Sequence, residues 1–236
     1  MIFDKLYKRE IDVLNLVDKN LKSKNRLTLT YINPHCFNIY NSNSEYRDLL
    51  DDKFEVYLDG VGIFFTLKLF GYKGVQRFNA TDLNEKIFAV FSEQTIRLFL
   101  IGGRFEGKFV NEKTLQKKIN VVGYQNGFFD EKDLPLIFEK IDKAKPDAIV
   151  IGMGVPFQEM FADQLTRKLD EKVIICVGNF LEFYFGTKRR SPKIIGNSGF
   201  EWFFRLITEP ARLWKRYLIG IPLFFYNILK MKLSFK

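Results

Sequence analysis

The chain has 236 residues, of which 47% are hydrophobic, 28% are charged and 26 are Phe. This composition indicates one α/β domain with a substantial core and a short extra segment, and it argues against a disordered chain. The formal net charge of +9 favours a polyanionic partner, which nucleic acid, anionic lipid and a phosphorylated substrate would each satisfy.

Six short, β-rich apolar runs alternate with helical segments along the chain. Such alternation predicts a mostly parallel sheet flanked by helices. The runs lie at residues 27–32, 54–58, 96–101, 119–122, 148–151 and 173–177.

Several of these runs end in glycine, at Gly60, Gly102 with Gly103, Gly154 and Gly178. In open parallel sheets the ligand crevice lies beyond the carboxyl ends of the strands, where glycine lets the backbone approach a phosphate or a sugar. The site is therefore predicted at this edge. By itself, the Gly102-Gly103 loop is equally typical of a tight structural turn, because it lacks a full nucleotide-binding fingerprint.

The composition changes after residue 192, where aromatic and basic residues interleave. We predict a core at 1–192 and a helical C-terminal appendage at 193–236. The appendage suits either a surface helix at a lipid headgroup layer or a helix that docks on the core with a solvated basic face. The nearly uncharged stretch 217–229 is shorter than the ~20 residues of a spanning helix, so no transmembrane segment is predicted.

Three polar residues at predicted element ends are candidates for chemistry. Asp59 follows a strand and precedes a glycine, which is typical of a turn former but also suits a general base that removes a proton from a hydroxyl. Asp82 is a candidate helix cap or a ligand for a substrate hydroxyl. Gln158 is placed to contact a uracil or sugar edge, whereas the neighbouring Glu159 suits the helix dipole.

The remaining chemistry-bearing residues predict neither a metal nor a cofactor. His35 is the only histidine, which leaves almost no material for a triad or a histidine-based metal site. Cys36 and Cys176 are far apart in the sequence, so neither a disulfide framework nor a metal knuckle is indicated. No Asp-x-Asp motif occurs, and arginines are the residues available to bind diphosphate.

Four segments in this order resemble the TagA/WecG/CpsF family, glycosyltransferase family 26, over about residues 33–222. They are Asp-Gly-Val-Gly at 59–62, Gly-Met-Gly-Val-Pro-Phe-Gln-Glu at 152–159, Arg-Ser-Pro at 190–192, and Gly-Phe-Glu-Trp-Phe-Phe-Arg-Leu at 199–206 running into Glu-Pro-Ala-Arg at 209–212. The resemblance implies a Rossmann-like core with an appendage that docks over the active site at the membrane.

The resemblance also implies the activity: inverting, metal-independent transfer from a UDP-sugar to an undecaprenyl-diphosphate-linked sugar. The family's catalytic aspartate corresponds to Asp59, and its appendage arginines correspond to or lie near Arg205, Arg212 and Arg216. The residues expected to bind substrate are Tyr31, Asn33, Asp82, Gly102, Gly103, Gly154, Gln158, Glu182, Arg190, Arg205, Arg212 and Arg216.

This sequence departs from the family pattern at three positions. Tyr31 stands in place of the threonine of a Thr-x-Asn motif that ends at Asn33, Ala80 replaces a glycine, and Leu181-Glu182 replaces a Phe-Asp pair. These changes leave the donor open between UDP-N-acetylmannosamine or its uronic acid, and UDP-glucose or UDP-galactose.

The expected location is the inner face of the cell membrane, with peripheral attachment and an anionic lipid surface as partner. A homo-oligomer is compatible with the sequence. A non-enzymatic, nucleotide-sensing membrane module stays open as an alternative. Nucleic acid is not expected, because the basic residues lie beside apolar residues at one end and form no recognition module.

Overall fold

Each of the six predicted apolar runs forms a strand in the computed structural model, which describes residues 2–169, 172–188 and 201–234. All strand pairs are parallel, and the order across the sheet is β2-β1-β6-β5-β3-β4. This confirms the predicted α/β fold with its parallel sheet. The strands are Leu27–Ile32 (β1), Glu55–Leu58 (β2), Arg97–Gly102 (β3), Asn120–Gln125 (β4), Ala148–Gly152 (β5) and Val173–Cys176 (β6).

Helices connect the strands, and three of them begin at an asparagine. Asn33, Asn43 and Asn79 are extended residues whose side chains accept hydrogen bonds from N–H groups of the first helical turn. The helices of the core are Ile2–Lys5 (α1), Glu10–Ser23 (α2), Pro34–Ser42 (α3), Ser44–Asp52 (α4), Gly60–Leu69 (α5), Ala80–Glu93 (α6), Gly107–Lys117 (α7), Leu134–Ala144 (α8), Phe157–Thr166 (α9) and Phe180–Tyr184 (α10), with a 3-10 turn at Glu131–Asp133.

The central strands are buried along their whole length, as expected for a parallel sheet with helices on both faces. Many of the phenylalanines fill the layers between helices and sheet. Phe88 of α6 packs against Phe180 and Tyr184 of α10, and Phe138 of α8 stacks on Phe161 of α9. These phenylalanines therefore join neighbouring helices within the buried core.

The connections leave β3 and β5 in opposite directions. β3 leads to β4 at the sheet edge, whereas β5, its neighbour, leads to β6 near the sheet centre. A crevice forms beyond the carboxyl ends of two strands whose connections diverge, and ligands of doubly wound sheets bind there. The strand order therefore predicts a ligand site between the glycine-rich ends of β3 and β5.

The described part of the appendage is helical. It consists of Glu201–Thr208 (α11), Pro210–Trp214 (α12), a π-helical turn at Lys215–Ile219, and Gly220–Ser234 (α13). The boundary predicted at residue 192 lies outside the described residues. None of the helices in the described ranges combines the length and the apolar character needed to cross a bilayer.

Helix α13 docks on α3 of the core. The buried ring of Phe224 meets that of Phe37 edge-on at 5.5 Å, and Asn38 Nδ2 donates to the Gly220 carbonyl at 2.7 Å. Asn227 Nδ2 in turn donates to Asn38 Oδ1 at 3.1 Å. One face of α13 is thus fixed by an aromatic contact and by both polar atoms of a buried asparagine side chain.

We expect Asn38→Ala to loosen α13, because the Gly220 carbonyl and the Asn227 amide both lose their partner and each lost buried hydrogen bond costs about 1–3 kcal/mol. Hydrogen exchange of the α13 amides should accelerate at least ~10-fold relative to the wild type. Asn41→Ala is the matched control, since its Nδ2 donates only to Phe37 O within α3. Equal protection of α13 in the two variants would contradict this role of Asn38.

Candidate active site

Asp59 and Asn33 lie side by side because of the register between β1 and β2. Ile32 pairs with Leu58 at the carboxyl ends of these strands, so each polar residue follows one position beyond the pair. The Asp59 N–H donates to the Ile32 carbonyl at 2.9 Å, and Asn33 Nδ2 donates to Asp59 Oδ2 at 3.2 Å. Adjacent parallel strands have therefore placed an amide against a carboxylate.

The other oxygen of the Asp59 side chain is held by helix α6. The Ala80 N–H at its first residue donates to Asp59 Oδ1 at 2.8 Å, and the Gly60 N–H donates to the Phe78 carbonyl at 3.2 Å. A helix N-terminus favours negative charge because its first N–H groups have no partner within the helix. The half-buried carboxylate is consequently fixed in orientation from two sides.

Asn33 links this carboxylate to the appendage. Its Oδ1 accepts from the N–H groups of His35 and Cys36 at 3.0 and 3.1 Å, and Arg216 Nη2 lies 3.4 Å from the same oxygen. Burial, with the Arg216 cation as the second cause, lowers the pKa of His35 to about 4, so this imidazole is neutral at pH 7. The structure thus brings Asp59, Asn33 and Arg216 together.

Tyr31 lies in β1, next to this group. It is nine-tenths buried, and its ring packs against Tyr57 with a centroid distance of 6.2 Å. Its hydroxyl meets the position that a Cβ at Gly178 would occupy. Burial raises the pKa of the Tyr31 phenol well above its usual value, so the hydroxyl stays protonated. Tyr31 therefore contributes a neutral phenol to the floor between β1 and β6.

Close backbone contacts join the carboxyl ends of β3, β5 and β6. A Cβ at Gly102, where φ is +140°, would lie 2.5 Å from the Gly152 carbonyl oxygen, and one at Gly152 would lie 2.7 Å from the Gly178 carbonyl oxygen. Gly103 and Gly154 have φ of +64° and +84°, and the space beside Gly154 is open. Glycine is thus required where the crevice between β3 and β5 was expected.

A sequence profile described as the glycosyl transferase WecG/TagA/CpsF family matches residues 3–236, nearly the whole chain. The chain belongs to this family. It is therefore an enzyme, a hexosyltransferase that uses a nucleotide-sugar donor and a sugar acceptor. The non-enzymatic alternative left open by the sequence is wrong.

Gln158 of this glycosyltransferase is wholly buried, at the start of α9. Its Oε1 accepts from the Gly178 N–H at 2.9 Å, and its Nε2 donates to Glu159 Oε1 at 2.8 Å. Both polar ends of the side chain are thus engaged within the protein, and they hold the backbone after β6 against α9. Direct contact between Gln158 and substrate stays a prediction.

Glu159 is also wholly buried, although the sequence suggested only a role at the helix dipole. Its Oε1 accepts from the Thr30 hydroxyl at 2.6 Å, whereas its Oε2 has no hydrogen-bond partner within the described residues. Burial raises the pKa of Glu159 to about 7, even though the bonds from Thr30 and Gln158 act to lower it. A polar bridge between β1 and α9 therefore lies beneath the site of the glycosyltransferase.

Asp82 lies in the first turn of α6, and its described contacts are those of a cap. Its N–H donates to Asn79 Oδ1 at 2.9 Å, and its Oδ2 accepts from Asn79 Nδ2 at 2.5 Å. The reciprocal bonds fix the start of the helix whose first N–H holds Asp59. Asp82 thus supports the carboxylate through α6, and its contact with a substrate hydroxyl remains a prediction.

Other residues predicted to bind substrate lie at the seam between core and appendage. Lys188 Nζ is 2.6 Å from Glu182 and 3.3 Å from Glu209, whose Oε2 also accepts from Arg212 Nε at 2.7 Å. Although burial opposes it, Arg212 and Lys188 lower the pKa of Glu209. This charged chain extends from α10 to α12, and no pattern in the sequence indicates that Lys188 and Glu209 form part of it.

Arg205 and Arg190 were also predicted to bind substrate, and the structure describes only Arg205. The Arg205 guanidinium lies over the Phe183 ring at 4.9 Å, which adds a cation–π contact to the same seam. Arg190 lies outside the described residues. Within the described ranges, no three His, Cys, Asp or Glu side chains form a group suited to hold a metal ion.

We expect Gly102→Ala to destabilise the protein, because the new Cβ meets the Gly152 backbone and forces an alanine into a glycine conformation. The strain and overpacking should each cost about 1–3 kcal/mol in the free energy of unfolding, measured in urea. Gly107→Ala is the control, since its Cβ meets nothing within 4 Å. Similar stability of the two variants would show that the sheet edge relaxes.

The pKa of Glu159 gives a pH dependence with a defined sign. Because the native carboxyl binds its proton more tightly than the unfolded one, its contribution to stability is complete below about pH 4.5 and is lost as pH rises through about 7. Between pH 5 and 8 the wild type should lose up to about 3 kcal/mol relative to Glu159→Gln, measured by urea unfolding. A stability difference that is constant with pH would exclude this titration.

Proposed function

We propose that this transferase moves a sugar from a UDP-sugar to an undecaprenyl-diphosphate-linked acceptor during synthesis of a cell-surface polysaccharide such as capsule or teichoic acid. The observation that carries the proposal is the group formed by Asp59, Asn33 and Arg216. It combines an oriented carboxylate with a cation from the appendage, which matches the needs of proton removal and diphosphate departure. N-acetylmannosamine or its uronic acid is the proposed donor sugar.

The proposed mechanism is a single in-line displacement. The acceptor hydroxyl attacks the anomeric carbon and gives its proton to Asp59 while the bond to UDP breaks, so the configuration inverts. The bonds from the Ala80 N–H and from Asn33 Nδ2 hold the Asp59 carboxylate in a fixed orientation, as a general base requires. Arg216 would stabilise the charge on the departing UDP without a metal.

The ends of β3 and β5 suit the nucleotide diphosphate of the donor. Gly102 and Gly103 follow β3, and the open space beside Gly154 follows β5, at the point where the strand connections diverge. Backbone N–H groups of such loops bind phosphate oxygens. Gln158 would act here by holding Gly178, which borders both Gly152 and Tyr31.

The appendage supplies the proposed membrane contact on the inner face of the cell membrane. Residues 210–236 contain six cations and no acidic residue, and α13 exposes Phe225, Tyr226, Leu229 and Leu233. This composition suits an anionic lipid surface. Glu182, Arg190, Arg205 and Arg212 are proposed to bind acceptor or donor phosphate when the seam rearranges, and a homo-oligomer is compatible with the exposed surface.

A second candidate donor is UDP-glucose or UDP-galactose. The Tyr31 phenol occupies the floor next to Gly178, which leaves less room than the threonine that the family pattern has at this position. A donor sugar without an N-acetyl group needs less space. The reaction type is the same for both donors.

We expect Asp59→Asn to lower acceptor-dependent UDP release by roughly 10²–10⁴-fold, because the amide cannot accept the proton. The assay uses a panel of UDP-sugars with a short polyprenyl-diphosphate-linked acceptor in EDTA. Asp142→Asn, an exposed change on α8, is the matched control and should retain the wild-type rate.

Each outcome of this assay has a distinct meaning. The sugar that supports release identifies the donor. Undiminished activity of Asp59→Asn would remove Asp59 as the base, and loss of wild-type activity in EDTA would contradict a metal-independent mechanism. Absence of turnover with every donor would contradict the proposed substrates.

A further inference from the structure

Helix α5 has apolar residues on both of its faces. Ile63 and Leu67 are fully buried, whereas Phe65 and Leu69 on the opposite face are 63% and 52% exposed. Phe65 and Leu69 are four residues apart and so lie next to each other on the helix surface. The polar side chains of α5 are Thr66, which is buried, and Lys68. The helix thus exposes an apolar strip to solvent beside the catalytic region.

This strip adjoins the appendage. A Cβ at Gly62 of α5 would lie 2.6 Å from Pro34 Cγ and 3.6 Å from the Phe224 ring of α13. The absence of that side chain lets α5, α3 and α13 pack closely. The exposed apolar residues of α5 and α13 therefore belong to neighbouring helices, although α5 is part of the core.

The charges around the strip select its occupant. Residues 60–81 contain Lys68, Lys73 and Arg77 but no Asp or Glu, and residues 210–236 contain six cations and no Asp or Glu. The ammonium of Lys68 lies 5.8 Å from the Phe64 ring centroid, so its stem covers apolar surface while its charge stays at the rim. A second copy of this basic surface would be repelled, whereas anionic lipid would be attracted.

We propose that α5 is a second membrane-contacting element, with Phe65 and Leu69 entering the headgroup layer of an anionic membrane beside α13. The inference rests on the proposed function, because it assumes a lipid-linked acceptor. Asp59 is the residue immediately before α5. Contact of α5 with lipid would therefore place the catalytic carboxylate next to the surface from which the acceptor's sugar enters.

The test uses the full chain with an environment-sensitive fluorophore on single introduced cysteines. Phe65→Cys probes α5, Leu229→Cys probes α13, and Leu115→Cys on α7, where the native side chain is 80% exposed, is the control. The native thiols should not react, because both are buried and burial raises the pKa of Cys36 to about 12 and that of Cys176 well above its usual value. Vesicles contain phosphatidylglycerol, phosphatidylcholine and a spin-labelled lipid quencher.

We expect the vesicles to shift the emission of the probes at positions 65 and 229 to the blue and to quench both, with no change at position 115. A response at 229 without one at 65 would overturn the role of α5 and leave the membrane contact of the appendage standing. A blue shift of the probe at position 65 that grows with protein concentration in the absence of lipid would instead identify a second copy of the chain as the occupant. If vesicles change neither the emission wavelength nor the intensity of any of the three probes, this inference and the proposed membrane contact are both overturned.

A kinetic measurement separates this inference from the proposed chemistry. The double variant Phe65→Ser, Leu69→Ser should lose on the order of 10-fold in kcat/KM for a vesicle-embedded acceptor, because two apolar side chains no longer enter the lipid. Its rate with the short-chain acceptor should match that of Leu115→Ser. An equal loss with both acceptors would assign α5 a structural role, and inactivity of the wild type with both would contradict the proposed function itself.

Discussion

The parallel register of β1 and β2 is the constraint on which the proposed catalytic group depends. Pairing of Ile32 with Leu58 places Asn33 and Asp59 beside each other, and the asparagine side chain then serves three neighbours. It caps α3, donates to the carboxylate and lies against Arg216 of the appendage. One side chain therefore couples the sheet, a core helix and the C-terminal segment, so a shift in any of them would move the carboxylate's surroundings.

Backbone contact replaces side-chain packing along the rest of this edge. Gly102, Gly152 and Gly178 follow one another across β3, β5 and β6 at distances that no Cβ would allow. At β1 the Tyr31 hydroxyl lies where a Cβ of Gly178 would be, and the Gly178 N–H donates to the buried Gln158 side chain. This edge is thus packed backbone against backbone, and the buried polar bridge through Glu159 and Thr30 fixes the layer beneath it.

Two kinds of contact join the appendage to the core, one buried and one half-exposed. Phe224 and Asn38 form a buried anchor at α13, whereas Lys188, Glu209 and Arg212 form a half-exposed charged chain at the seam. Exposed ion pairs contribute little to stability and weaken with salt, so the seam is the part more easily rearranged. Such an arrangement suits an enzyme whose appendage stays attached at one end while its arginines exchange protein partners for phosphate.

The sequence by itself determined the six strands, the parallel α/β fold and the family, because apolar runs ending in glycine and four ordered motifs are local patterns. It also singled out Asp59, Asn33 and Arg216. Only the tertiary structure decided which of the candidates meet. Strand register placed Asp59 beside Asn33. Gln158 and Glu159 are buried where α9 packs on β1 and β6. Glu182 and Arg212 are part of the charged chain between core and appendage. The contact of Asn33 with Asp59 joins residues 26 positions apart, and those of Thr30 with Glu159 and Asn38 with Gly220 join residues 129 and 182 positions apart. A single sequence carries no periodic or spacing signal for contacts of this kind.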